Sequence, residues 1–377
     1  MRKRRKKLAK MHRKKQNRKI KLLYLPEYPF YRRLAQINKE QRPWDIYTWV
    51  IQVAPQYGID MDTISVENKV LLRAPMSYKI RGFLQVVKTL FVLYRYDIIL
   101  AWRGPCVPIL VARFFFRWRK PKIIIIAWRP FDTKSRGVKH RFKKMLAKIA
   151  TLMSDKVIVV SSPQVKQFSD ALGVSEEKIS FLPYGVDCKF FKPAKSEVQR
   201  EEPFLVTIGN VYRDDALLLD VIKDIPIKMI RVTTFSSVAK KLEKRAMRKR
   251  LKNVSVRLGL PYSELADLLQ KSAFVVLPLI STDQPVGLTA LMEAMAVGKP
   301  VIVTKGLACT DYIIDGETGI LVKPGDKLQL KKKILELLRN PEKRERIGLA
   351  ARRAIERKFS LEIVARKWID LIWEVTQ

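Results

Sequence analysis

The chain has 377 residues, of which 47% are hydrophobic, and its 75 Lys and Arg against 36 Asp and Glu give a net charge of +39. Length and apolar content are those of a globular protein with room for two domains, while the three cysteines, Cys106, Cys188 and Cys309, stand far apart. Their spacing excludes a disulfide framework and a zinc site and suits a reducing, cytoplasmic setting. The charge says nothing about fold, but it favours anionic partners: nucleic acid, anionic lipid or polyanionic glycan.

Met1 to Lys19 is rich in Lys and Arg and holds no acid. Self-repulsion keeps such a tail disordered or only transiently helical when free. It is either an anchor for an anionic surface or a tail with no specific role; a lipid surface gains about 1 kcal/mol per nearby Lys or Arg. No apolar run follows it, so no signal peptide is expected.

Ile20 to Leu25 reads as a first strand. Trp44–Val53, Asp60–Val66 and Asp97–Ala101 read as further strands or strand–turn units. Between them, Phe83, Val86, Val87, Leu90 and Phe91 recur at helical spacing, which predicts a helix over Ile80–Tyr94. Val107–Trp118 is a second helix candidate with a basic, aromatic end, RFFFRWRK, suited to core packing or to a membrane face. Neither segment holds about 18 uninterrupted apolar residues, so no transmembrane helix is expected.

Lys122–Ala127 is an apolar run and a central strand. A basic amphipathic helix follows at Arg141–Ser154, a strand at Lys156–Val160, a short helix ending at Leu172, and another strand at Lys178–Leu182. Strand and helix alternating at this pace predict a doubly wound parallel sheet. Pro183-Tyr184-Gly185-Val186-Asp187, with Phe190, Phe191 and Pro193, closes this half, and the polar stretch Ala194–Pro203 reads as a linker.

The second half opens with a strand at Phe204–Gly209 and the turn Asn210-Val211-Tyr212-Arg213. Helices are predicted over Leu217–Ile222, Ser236–Lys252 and Tyr262–Gln270, with strands at Met229–Thr233 and Asn253–Arg257. Next comes FVVLPLISTDQPVGLTALMEAMAVGKPVIV, Phe274 to Val303: strand, loop, helix, turn, strand. Gly298 is a left-handed cap, and Leu288, Leu291, Met292 and Met295 form one apolar stripe. Leu321–Pro324 is the last strand, and Lys327–Arg339, Pro341–Lys358 and Ser360–Glu374 are closing helices, with Ser360 as N-cap.

From Gln284 to Gly298 the only charged side chain is Glu293. A lone carboxylate in so apolar a helix is costly unless something meets it. Thr289 lies four residues earlier, on the same edge. The N–H groups of Gly287, Leu288 and Thr289 have no acceptor within the helix and sit at the positive end of its dipole, a ready anion site. A nucleoside diphosphate fits, with phosphate on the amides and ribose on Glu293. A core helix whose glutamate meets an internal arginine fits equally well.

GLTALMEAMAVGKPVIV resembles the nucleotide-sugar segment of the GT-B glycosyltransferases, specifically the retaining group often called family 4, and the Pro183–Pro193 stretch resembles the end of that family's first domain. The resemblance is specific over roughly residues 156–330 and weak over 20–155. It implies an α/β chain of two doubly wound Rossmann-like domains facing across a cleft: a basic tail over 1–19, an acceptor domain over 20–193, a donor-nucleotide domain over 203–358, and a final helix over 359–377 returning to the first domain.

The resemblance implies that Glu293 binds the donor ribose and that Gly287, Leu288 and Thr289 hold the diphosphate. Arg213 neutralises it, with Asn210 where the family often has a further Arg, and the Gly259 turn lies beside the base. The family's first acid falls at Pro285, so Asp283 is the nearest replacement. Its first-domain histidine is absent after Ala127, leaving Arg129 and Asp132 as candidates. The implied activity is retaining transfer from a nucleotide-diphosphate sugar, with no metal and no other cofactor. The acceptor is a glycan or lipid-linked glycan, and the place is the inner face of a membrane with an anionic surface. A nucleotide-sugar epimerase on the same fold is the alternative enzyme. A basic nucleic-acid-binding protein is the alternative outside enzymes, although no nucleic-acid recognition motif is present and nucleic acid is not expected as a partner.

Overall fold

A computed structural model describes residues 19–65, 78–102, 109, 110, 113, 121–126, 137–194 and 202–377. Among these residues the strands form two parallel sheets of six. The first contains β1 (Ile20–Leu25), β2 (Ile59–Thr63), β3 (Ile98–Trp102), β4 (Lys122–Ile126), β5 (Lys156–Val159) and β6 (Ile179–Phe181), in the order 2-1-3-4-5-6. The second contains β7 (Phe204–Ile208), β8 (Lys228–Thr233), β9 (Val254–Leu258), β10 (Phe274–Leu277), β11 (Val301–Thr304) and β12 (Ile320–Val322), in the order 12-11-10-7-8-9.

The central strands β4, β7, β10 and β11 are nearly pure Ile, Val, Leu and Phe, because helices cover both faces and leave no solvent side for alternation. Each sheet therefore has a core on either face. In both sheets the winding reverses beside the first strand, between β1 and β3 and between β7 and β10. A crevice opens outside the strand ends at such a reversal, and there ligands bind in doubly wound sheets.

Trp44–Val53 corrects one expectation. It is a helix over Ile46–Val53, because the Asp45 carboxylate accepts hydrogen bonds from the N–H groups of Tyr47 and Thr48 and caps the first turn. Ile46, Tyr47 and Val50 are buried at helical spacing, so an apolar, aromatic composition misleads where a cap decides. The helix Phe30–Asn38, absent from the sequence reading, lies in the first β–α connection. Most of the candidate helix Val107–Trp118 lies outside the described residues, as do Met1 to Arg18.

The two halves touch along one edge. The Asp311 carboxylate accepts hydrogen bonds from the Ser161 hydroxyl (2.9 Å), the Ser162 N–H (2.8 Å) and the Ser162 hydroxyl. Tyr312 donates to Val160 O and accepts from Tyr184 N–H, both at 2.8 Å. Leu361–Val375 leaves the second half and packs on the first, where Trp368 is buried against Tyr47 with ring centroids 5.7 Å apart.

Candidate active site

A cleft of about 340 Å³ opens at the reversal in the second sheet. One wall follows β7. Gly209 has φ +130°, and a Cβ there would overlap the Arg213 guanidinium, so only glycine lets the arginine fold back over the turn. Arg213 donates to Ile208 O (2.8 Å) and Val211 O (3.2 Å). Burial, with Arg231 beside it, pulls its pKa down to about 10. Asn210 Oδ1 accepts from the Thr233 hydroxyl (3.0 Å) and the Thr234 N–H (2.8 Å), which ties the turn to the end of β8.

The opposite wall is the start of the helix Leu288–Ala296. Gly287 caps it at φ +83°, and an added Cβ would lie 3.1 Å from the Leu279 side chain. The first N–H bonded back along the helix is that of Leu291, to Gly287 O at 3.0 Å. The earlier amides are left for the cleft, whose lining includes Gly287, Leu288 and Thr289.

Glu293 lines the same cleft one turn further in and is 6% exposed. Among the described residues its carboxylate has no ion-pair or hydrogen-bond partner. Burial pushes its pKa up to about 8, opposed by the positive charge of Arg42. Arg42 reaches over from the first half, with its guanidinium 5.2 Å above the centre of the Tyr262 ring. A smaller cavity of about 50 Å³ joins Arg42, Asp45 and Tyr184 to Thr289 and Glu293. Tyr184 is hydrogen-bonded to the Thr289 hydroxyl.

The geometry thus gathers Arg213, Asn210, Gly287, Leu288, Thr289 and Glu293 around one cleft. Gly259 is exposed and outside the lining, but its left-handed turn (φ +68°) delivers Leu260 and Tyr262 to the wall. Asp283 also lies outside the lining: its backbone carbonyl accepts from Gln167 (3.4 Å) and its carboxylate from Gln284 (3.3 Å). Arg129 and Asp132 fall outside the described residues.

Sequence reasoning missed Arg231, which is fully buried on β8. Its guanidinium meets Asp215 (2.9 Å), Gly209 O (2.7 Å) and Val232 O (2.6 Å), and so braces the Gly209 turn from behind. A single arginine inside an otherwise apolar strand was the available signal. Arg42 and Tyr184 were missed because only the tertiary fold brings them beside Glu293, and Tyr262 because the sequence marks it only as the start of a helix.

The sequence matches the family described as glycosyl transferases group 1 over residues 190–354, and the one described as glycosyltransferase family 4 over residues 51–190. The two matches adjoin at the end of the first half. Together they support a family 4-like GT-B glycosyltransferase.

Among relatives of this GT-B chain is an uncharacterized glycosyltransferase of Methanocaldococcus jannaschii, 32% identical over 39% of the chain and 40% of the relative. The MMP alpha-(1->4)-mannosyltransferase of Mycolicibacterium hassiacum is 25% identical over 67% of the chain and 58% of the relative. These matches span less than two thirds of the relatives' own length. Similar solved structures are the sucrose-phosphate synthase of Thermosynechococcus elongatus and Anabaena HepE in complex with UDP and glucose. The first has a TM-score of 0.74, 17% identity, and coverage of 95% of this chain and 99% of that one. The second has 0.70, 18%, 94% and 100%. At such identity these two likenesses establish the GT-B fold.

Proposed function

We propose that the chain is a retaining, metal-independent hexosyltransferase. It moves a sugar from a nucleotide-diphosphate sugar to a glycolipid or polysaccharide acceptor at the cytoplasmic face of a membrane. The observation that carries this is Glu293, a buried carboxylate without a protein partner among the described residues, on the edge of a cleft whose other end holds helix amides and Arg213. A carboxylate so placed suits the paired hydroxyls of a ribose, and the amides and Arg213 suit the diphosphate.

As the bond between the sugar and the diphosphate breaks, negative charge grows on the leaving phosphate. Donors already aimed at that charge stabilise the transition state more than the ground state, and Arg213 with the Leu288 and Thr289 amides does the work a divalent cation would otherwise do. The mannosyltransferase relative supports a hexose donor, and HepE in complex with UDP and glucose supports a nucleoside diphosphate. The net charge of +39 supports an anionic membrane surface.

A thermal-shift screen of UDP, GDP and ADP sugars tests the reading. A ligand at 100 times its Kd stabilises by about 2.7 kcal/mol. Glu293→Ala is expected to abolish the shift; an unchanged nucleotide affinity removes Glu293 from the site. The anomeric configuration of the product, read by NMR, is expected to match that of the donor.

A further inference from the structure

The helix Val138–Met153 on the first sheet has two opposed faces. Ala147, Ala150 and Met153 pack toward the sheet, and Thr151 beside them is buried. The other face carries Val138, Phe142, Met145, Ile149 and Leu152, exposed by 84%, 56%, 49%, 42% and 50%. Their spacing of four, three, four and three keeps all five within about 80° of arc on a helix. Single exposed apolar residues need no explanation, but a continuous stripe does.

Arg141 and Lys148 flank the stripe on one side with Lys144 next to them, Lys143 lies further round the helix, all four are exposed, and the helix contains no acid. Among the described residues none of these four is in an ion pair. The acid that follows the helix, Asp155, is already held by Arg113 at 2.9 Å and Lys122 at 3.1 Å.

We propose that this helix lies flat in the headgroup region of an anionic bilayer and is the chain's membrane seat. Charge complementarity selects that occupant. A second copy would bring the same cations face to face, whereas anionic headgroups neutralise them while the stripe enters the acyl boundary. Long Lys and Arg stems let the charge stay in the headgroups as the apolar residues sink. Sixteen residues span about 24 Å, shorter than the hydrocarbon core and interrupted by cations, so the helix lies on the bilayer and does not cross it. The proposal deepens the membrane placement above and locates it on a folded element in place of the basic tail.

The test uses the full chain with vesicles of phosphatidylglycerol and phosphatidylcholine, or of phosphatidylcholine alone. A triple variant, Phe142→Ser, Met145→Ser and Ile149→Ser, is expected to lose at least tenfold in partitioning to the anionic vesicles. Donor binding, measured alongside, is expected to stay unchanged, so that this proposal and the donor-site reading fail separately. A polarity-sensitive dye on Ile149→Cys is expected to shift to the blue with anionic vesicles only; the same dye on Leu328→Cys, 81% exposed in the second half, is the control and is expected not to shift. Equal partitioning by wild type and triple variant overturns the proposal, as does a wild-type chain that binds neither vesicle. A wild-type dimer that the triple variant dissolves, with vesicle binding unaltered, also overturns it in favour of a second copy on the stripe.

Discussion

Glu293 shows how one residue type in one setting sets up chemistry. In the unfolded chain a glutamate titrates at about 4.3. Burial raises Glu293 to about 8 in the folded protein, so the folded chain holds the proton more tightly. That proton favours folding at acid pH, and the advantage is lost as pH rises from about 4.3 through 8. Without ligand, Glu293→Gln is therefore expected to match wild type near pH 5 and to exceed it near pH 8.5 by on the order of a few kcal/mol, as read by urea unfolding. Arg42 opposes the shift, so Arg42→Gln is expected to deepen the wild-type loss; a flat wild-type profile rejects both expectations. Nucleotide affinity has the opposite slope. The ionised carboxylate accepts from the ribose, so affinity is expected to improve by at most about tenfold per pH unit up to pH 8 and to be level in Glu293→Gln.

At the scale of the element, the start of the Leu288–Ala296 helix carries the most constraint. Gly287 takes φ +83°, where a side chain is strained, and its Cα faces the Leu279 side chain. Gly287→Ala is expected to cost about 1–2 kcal/mol, read as a lowered melting temperature. Relaxing that strain turns the Leu288 and Thr289 amides, so nucleotide binding is expected to weaken more than global stability alone explains. A variant with wild-type Kd shows that the amides do not hold the diphosphate. Legibility in sequence differs between such elements. The Gly-x-Thr core, the lone Glu293 and Gly298 announce this helix, and its local signals agree with the fold. Ile46–Val53 has strand composition and is helical because of a single capping aspartate.

At the scale of the molecule, the two sheets are held in register by side chains far apart in sequence. Asp311 bridges to Ser161 and Ser162, and the Tyr312 hydroxyl donates to Val160 O and accepts from the Tyr184 N–H. The last helix contributes Leu361, Val364, Trp368, Ile369 and Ile372 to the core under the first sheet. Trp368→Ala is expected to cost about 3–5 kcal/mol, as for a large buried aromatic side chain. Amide exchange is expected to quicken in β1, β2 and β3 and to stay unchanged in β10 and β11. Uniform quickening in both sheets argues against the last helix as a prop of the first half alone.

Apolar runs and the alternation of strand with helix are local properties, and they sufficed for a doubly wound parallel sheet, while the two-domain GT-B arrangement and the places of Arg213 and Asn210 came from the resemblance to that family. Arg42 and Tyr184 beside Glu293, and the outward stripe of Val138–Met153, depend on which surfaces meet and which are left over. Burial and electrostatic environment are sums over neighbours distant in the chain, so no local pattern encodes them, and only the packed molecule decided what Glu293 faces.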